Sequence, residues 1–233
     1  MPEEIAIPEK KNNKKYIVTG IALIIAVAAL VGYAFYQSSK DIVKEADTHL
    51  DSQQQQERNQ IIDAAQNEVR QAEDKNASKE EQFKAYSKLG NELVVVGKYV
   101  EAEEALKTAQ KLLPDNPTSY QDLFEVYVLM HDYKAAEVQI KKAVDINSAS
   151  VSNWSKYIAL EKEHLNLSAD SRLALFEKAL AKTDRAPELV YQYGQTFEEK
   201  NDLKKAYEAY RELRDKYPTV TLYSDALVRV TNK

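Results

Sequence analysis

A spacing of 34 residues recurs along the C-terminal part of this chain. It relates Leu89 to Leu123, Tyr99 to Tyr133, Ala102 to Ala136, and Ala109 to Ala143. Within each block, apolar residues follow one another at steps of three and four, which is the period of an α-helix. A fixed period of this length is typical of repeat architectures, in which every unit buries one face against its neighbours. We therefore expect a row of short, paired helices.

The composition agrees with a helical fold and removes several kinds of chemistry. Only 5 Gly and 6 Pro occur among 233 residues, which favours helix over sheet. The absence of cysteine excludes disulfides, thiolate metal sites and a cysteine nucleophile. A net charge of −5 argues against a general nucleic-acid binder.

The repeat resembles the tetratricopeptide repeat (TPR), a helix–turn–helix unit of the same length. In the first block the matching residues are Tyr86, Leu89, Gly90, Ala102, Ala109 and Pro114. The second block matches at Tyr120, Leu123, Tyr127, Ala136, Ile140 and Ala143, and the fourth at Tyr193, Gly194, Phe197, Ala206, Tyr210 and Pro218. The resemblance implies an all-α TPR solenoid over residues 78–233, with repeats at about 83–116, 117–150, 151–186 and 187–220 and a capping helix at 221–230.

The third repeat departs from this pattern. The segment 165–170 makes its turn about two residues too long, and Ile158, Glu161 and Arg172 do not fit the expected residue types. We therefore expect the helix packing of this unit to differ from that of its neighbours.

Glycine and aspartate indicate how the helices are joined. Gly90 is expected to let its helix lie close to the paired one, and Gly97 to end that helix with a positive φ. Three aspartates lie in the turns, and of these Asp170 is the best placed to cap a helix N-terminus, with Asp132 and Asp202 as further candidates.

Residues 16–36, YIVTGIALIIAVAALVGYAFY, contain no charged side chain. A helix of this length spans about 30 Å, the thickness of the bilayer hydrocarbon, so we predict a transmembrane anchor. The alternative is a cleaved signal peptide, whose apolar region is normally shorter, about 7–15 residues. Four lysines precede the segment and two follow it at a similar distance, which predicts a cytoplasmic tail at 1–15 and a TPR domain outside the cytoplasm.

A polar segment, 37–77, connects the anchor to the repeats. Two helical apolar stripes occur in it: Val43, Ala46 and Leu50, then Ile62, Ala65, Val69 and Ala72. One interpretation is a dimerising stalk. The other is a solvated helix, about 57 Å long if it is continuous from Gln37 to Asp74, whose second stripe packs on the first helix pair.

The sequence contains no recognisable constellation of catalytic residues. The three histidines, His49, His131 and His164, are far apart, and His131 is expected to be a polar turn residue. The adjacent pairs Glu103–Glu104 and Glu198–Glu199 are expected on solvated helix faces, because neighbouring helical residues do not face each other. We predict no enzyme activity, no metal and no cofactor. Three sequons begin at Asn76, Asn153 and Asn166, and Asn153 is also well placed to start a helix.

The resemblance implies a groove lined by the first helix of each repeat. The residues predicted to bind a partner are Lys84, Ser87, Asn91, Val94, Val95, Gln121, Glu125, Val128, Tyr191 and Gln195. The lysine and asparagine clamp of chaperone-binding TPR proteins is matched only at Asn91, so its carboxylate ligand is not expected here. Polar and short apolar side chains suit an extended peptide or a partner helix instead.

These features predict a membrane-anchored TPR adaptor or scaffold for protein complexes, with no nucleic-acid partner. The layout is similar to that of bacterial inner-membrane TPR proteins that accompany secretion or envelope-assembly machines. The alternative is a structural protein that forms homo-oligomers through the stalk or an exposed end helix.

Overall fold

The computed structural model describes residues 51–232, and within this range the secondary structure is entirely helical. The ten helices are α1 Ser52–Asp74, α2 Lys79–Val95, α3 Tyr99–Leu112, α4 Pro117–Leu129, α5 Tyr133–Ile146, α6 Val151–Glu163, α7 Ala169–Lys182, α8 Pro187–Glu199, α9 Leu203–Lys216 and α10 Thr221–Thr231. They pack in chain order, each against the next. The predicted all-α solenoid is therefore confirmed for this part of the chain.

The predicted tail (1–15), anchor (16–36) and first part of the stalk (37–50), with His49, lie outside the described residues. Between residues 51 and 232, no helix combines the length and the apolar character needed to cross a membrane.

Helix α1 begins abruptly at Ser52. The Asp51 carboxylate accepts a hydrogen bond from the Gln54 amide at 2.8 Å, and the Gln54 side chain accepts one from the Asp51 amide at 3.1 Å, forming a capping box. Asp51 itself is extended, with φ −67° and ψ 168°. Because Asp51 is not helical, the helix that ends at Asp74 begins at Ser52 and does not include Asp51.

The second stalk stripe belongs to the core of the repeat domain. Ile62, Ala65 and Val69 are buried where α1 packs on α2. Tyr86 and Lys88 of α2 reinforce the contact through Glu73 and Glu68 of α1, each at 2.5 Å. This stripe is consequently not free to pair with a second copy of the chain. A dimerising stalk would therefore have only the first of its two apolar stripes as a contact surface.

In two of the repeats the paired helices approach closely at a glycine. A Cβ atom on Gly90 would lie 2.5 Å from Leu106 Cγ, and one on Gly194 would lie 2.5 Å from Tyr210 Cε1. Ala102 is fully buried on the second helix of the first pair. The role predicted for Gly90 is confirmed: any side chain at that position would overlap the facing helix.

The turns within three of the repeats share one backbone conformation. Residues 96–98, 130–132 and 200–202 connect the paired helices, and Gly97, His131 and Asn201 have φ of 78°, 58° and 58°. In the first of these turns the Lys98 amide donates to the Leu93 carbonyl at 2.9 Å, which closes the helix end in a Schellman arrangement. Gly97 thus has the predicted positive φ, and His131 is the turn residue that its alignment with Gly97 indicated.

The third repeat has the longer turn that its sequence predicts. Residues 164–168 separate α6 from α7, and Asn166 adopts a φ of 55°. The prediction for Asp170 is wrong: Ser168 caps α7, with its hydroxyl accepting from the Ser171 amide at 3.2 Å, and Asp170 lies in the first turn. The helix therefore begins at Ala169, one residue before Asp170. Asp132 and Asp202 do cap their helices.

Arg172 and Glu161, the charged departures of the third repeat, are both buried. The Arg172 guanidinium donates to the Leu167 carbonyl at 3.1 Å and to Glu199 on α8. It therefore anchors the extended turn to the next repeat. Burial raises the pKa of the Glu161 carboxyl, and the nearby Glu137 raises it further.

Helix α10 closes the row of repeats, as predicted for residues 221–230. Ala226, Leu227 and Val230 are buried with Phe197 and Tyr210 of the fourth repeat. On its outer side Leu222 and Val228 are exposed, at 48% and 58%.

Replacing Gly90 with leucine tests the close approach. We expect Gly90→Leu to lower the free energy of unfolding by about 1–3 kcal/mol, because the new side chain overlaps the buried Leu106. Urea denaturation followed by circular dichroism measures the change. Lys142→Leu, which places the same side chain at an exposed position of α5, is the control and should change stability by less than about 0.5 kcal/mol. Equal stability of the two variants would contradict this account.

Candidate functional site

The candidate site is the groove formed by the first helices of the repeats, α2, α4, α6 and α8. Helix α2 contacts α4 directly, and α6 contacts α8. Helices α4 and α6 are connected by side-chain hydrogen bonds, from Gln121 to Asn153 and from Lys156 to Glu125. The first helices therefore present one continuous face, and we refer to this face as the groove.

The predicted groove residues differ in accessibility. Those exposed are Lys84, Asn91, Val95, Glu125 and Gln195, and those half-buried are Val94, Gln121, Val128 and Tyr191. Val95 and Leu129 occupy equivalent helix ends and are 49% and 41% exposed, so the first two repeats give the groove an apolar edge. Ser87 is buried, and its hydroxyl has no hydrogen-bond partner among the described residues. It does not present its hydroxyl to a partner at the groove surface.

Gln121 is engaged in holding two repeats together. Its Nε2 donates to Asn153 Oδ1 at 2.6 Å, and Asn153 Nδ2 donates to the Ala143 carbonyl at 3.2 Å. Asn153 is completely buried, so this sequon cannot carry a glycan in the folded protein. Its helix begins with Ser150 as the cap, not Asn153. No local sequence pattern indicates this bridge, because the partners are 32 residues apart.

Asp122 is a groove residue that the repeat pattern did not single out. Burial raises the pKa of its carboxyl to about 6, although hydrogen bonding by Asn91 and the charge of Lys156 act in the opposite direction. Its Oδ2 atom is buried and has no hydrogen-bond partner within residues 51–232. The carboxylate thus has fewer donors than its charge requires.

Charged pairs cross the groove from one helix to the next. Lys156 Nζ lies 2.6 Å from Glu125 Oε1, and Lys162 Nζ lies 2.5 Å from Glu199 Oε1. Glu199 also accepts from Arg172, which is only 7% exposed. These pairs link α4 to α6 and both helices of the third repeat to α8.

The C-terminal end of the groove is closed by a bidentate pair. Arg229 of α10 donates from Nη2 and Nε to the two oxygens of Glu198, at 2.6 and 3.1 Å. The Tyr210 hydroxyl donates to the same carboxylate at 2.6 Å. Burial, and then this carboxylate, hold the pKa of Tyr210 well above its usual value. The arrangement fixes α10 against the fourth repeat.

The expectation that both members of each glutamate pair are solvated is wrong. Glu103 is buried, accepting from the Tyr127 hydroxyl at 2.9 Å and from Lys107 at 2.5 Å. Glu198 is largely buried behind Arg229. Glu104, by contrast, is exposed on the other side of the same helix.

A cavity of about 200 Å³ opens in the groove between the third and fourth repeats. Ile158 and Phe176, both buried, form its apolar floor, and Lys162, Arg172 and Glu199 lie at its wall. A space of this volume is suited to one side chain of a bound segment. It lies beside the longer turn, where the third repeat departs from the regular packing.

Two of the histidines, His131 and His164, both contact Tyr133, near the turns that connect the paired helices. The Tyr133 ring stacks on His164 with centroids 3.9 Å apart, and His131 Nδ1 lies 2.8 Å from the Tyr133 hydroxyl. Within the described range, no group of three or more His, Asp or Glu side chains is arranged to hold a metal ion.

Comparison with solved structures identifies proteins of the same architecture. A tetratricopeptide repeat protein from Parabacteroides merdae superimposes with a TM-score of 0.51 and 17% identity, over 64% of this chain and 60% of that one. PilF of Pseudomonas aeruginosa gives a TM-score of 0.50 and 16% identity, over 65% of this chain and 68% of that one. No protein-family model matches the sequence, and no curated protein matches it. At these identities the likeness is one of fold.

The Asp122 carboxyl predicts a specific pH dependence. Its pKa is raised on folding, so the folded state takes up a proton at a higher pH than the unfolded state, and this group adds stability as the pH falls through about 6. We compare the free energy of unfolding of the wild type with that of Asp122→Asn. The difference, wild type minus variant, is expected to rise by about 1–2 kcal/mol as the pH is lowered from about 7.5 to about 4. This range is reduced for solvent screening, because the carboxyl is only partly buried.

Urea titrations at several pH values measure this difference. The matched variant Asp145→Asn removes an exposed carboxylate from α5 and should show no such rise. A flat difference for Asp122→Asn as well would contradict the assignment of a buried, poorly solvated carboxyl.

Proposed function

We propose that this chain, which has the tetratricopeptide-repeat fold, is a membrane-anchored adaptor that binds an extended segment of a partner protein in its groove. The observation that carries the proposal is the continuous face of α2, α4, α6 and α8. This face combines exposed polar side chains with an apolar edge formed by Val95 and Leu129. An extended segment can bury short side chains against that edge while polar groups fix its direction.

The side chains of the groove support this proposal in two ways. Val95 and Leu129 are large, apolar and exposed at neighbouring repeats, a placement that contributes nothing to the core. The cavity at the third repeat offers room for one side chain, about 30 residues further along the chain. Together they give separate contact points for a segment that spans several repeats.

The anchor is part of the proposal and rests on the sequence. Residues 16–36 are uncharged and long enough to cross a bilayer, and the lysine bias favours a cytoplasmic residue 1. The groove would then face the outer side of that membrane, where an adaptor could take part in the assembly of protein complexes or in secretion.

Site-specific photocrosslinking tests the groove. A photoreactive amino acid placed at Asn91 or Gln195 of the full chain should crosslink to a partner in intact cells, because both positions are exposed in the groove. The same amino acid at Lys142, exposed on the second helix α5, is the control. Crosslinks that are absent from the groove positions, or equally frequent at Lys142, would overturn the proposal.

Membrane extraction and protease access test the anchor and its direction. We expect the full chain to stay in the membrane fraction after alkaline carbonate washing and a variant lacking residues 16–36 to be released. Protease added to the outer face should digest the repeat domain while leaving a protein of the cytoplasm intact. Release of the full chain by carbonate, or protection of its repeats from outside, would refute the anchor or its orientation respectively.

A further inference from the structure

We propose that the segment bound in the groove is basic, with lysine or arginine side chains spaced along an extended stretch of the partner. This inference rests on the proposed function, because it specifies the partner of the same groove. It follows from how the charges of the groove are paired.

Four cations of the groove contact three of its carboxylates. Lys156 pairs with Glu125, Lys162 and Arg172 share Glu199, and Arg229 holds Glu198. Lys84, at the first repeat, is the one groove cation without an ion pair within residues 51–232.

Three carboxylates of the groove have no ion pair in the described part of the chain, one on each of α6, α8 and α10. They are Glu163, Glu188 and Asp225. Glu163 lines the cavity with Lys162, and Glu188 accepts from Ser155 of α6 at 3.1 Å. Asp225 precedes Arg229 by one helical turn and so shares its face.

An acidic or neutral segment would be poorly matched to this surface. Covering an unpaired carboxylate removes water without supplying a counter-charge, which is unfavourable. An ammonium or guanidinium group of the partner pairs with it instead, and the potential of the groove draws such a segment towards the surface.

Three labelled peptides test the inference on the full chain in detergent. Each contains four copies of a tripeptide, Ser-Ala-Lys, Ser-Ala-Gln or Ser-Ala-Glu, with both ends capped. Fluorescence polarisation should give an affinity at least about tenfold higher for the lysine peptide than for the glutamine peptide, falling as salt is raised. A glutamine or glutamate peptide that binds as tightly as the lysine peptide would overturn the proposal.

A pair of charge-matched variants separates the groove from the net charge of the protein. Neutralising Glu188 and Asp225 together, by Glu188→Gln and Asp225→Asn, should weaken binding of the lysine peptide about three- to tenfold. The control combines Asp145→Asn and Glu208→Gln, which remove the same charge from exposed positions on the second helices α5 and α9, and should change it less than about twofold. Equal weakening by both variants would overturn the proposal.

Failure of this inference differs from failure of the proposed function. Photocrosslinks from Asn91 and Gln195 together with indifference to peptide charge would leave the adaptor function standing and remove the basic partner. Absence of groove crosslinks would remove the adaptor function itself.

Discussion

The packing of each short helix against the next, closest at Gly90 and Gly194, is the interaction on which the other parts of this structure depend. Helices of 13 or 14 residues, such as α3 to α9, are too short to be stable alone. They become stable by burying one stripe against a partner, and Gly90 and Gly194 allow that partner to come within side-chain contact. Because each pair also packs against the next, the first helices form one face.

The two faces of each first helix have different roles. Alanine and larger apolar residues that face inward hold each pair together, so the groove side chains are free to serve another purpose. Several of them link neighbouring repeats, as Gln121 does through Asn153 and as Lys156 does through Glu125. The remaining ones give the groove its apolar edge and its excess of negative charge, which are the properties a partner would meet.

The third repeat illustrates how an irregular unit stays within a regular stack. Its longer turn would leave a carbonyl without a donor, and Arg172 supplies that donor while reaching Glu199 of the next repeat. A buried arginine is stable in this position because its charge is paired and hydrogen-bonded. The departure that makes the repeat hard to recognise also creates the cavity beside it.

The sequence by itself determined the repeat length, the pairing of the helices, the positive φ at Gly97 and the longer turn of the third repeat. Each of these depends on residues close together in the chain or on a period that repeats identically. Only the tertiary structure decided that Ser87 and Asn153 are buried, that Glu103 faces Tyr127, and which carboxylates remain unpaired. The physical reason is that burial and charge pairing depend on neighbours that lie about 30 residues away, and the periodicity of a helix specifies the face of a side chain but not its partner.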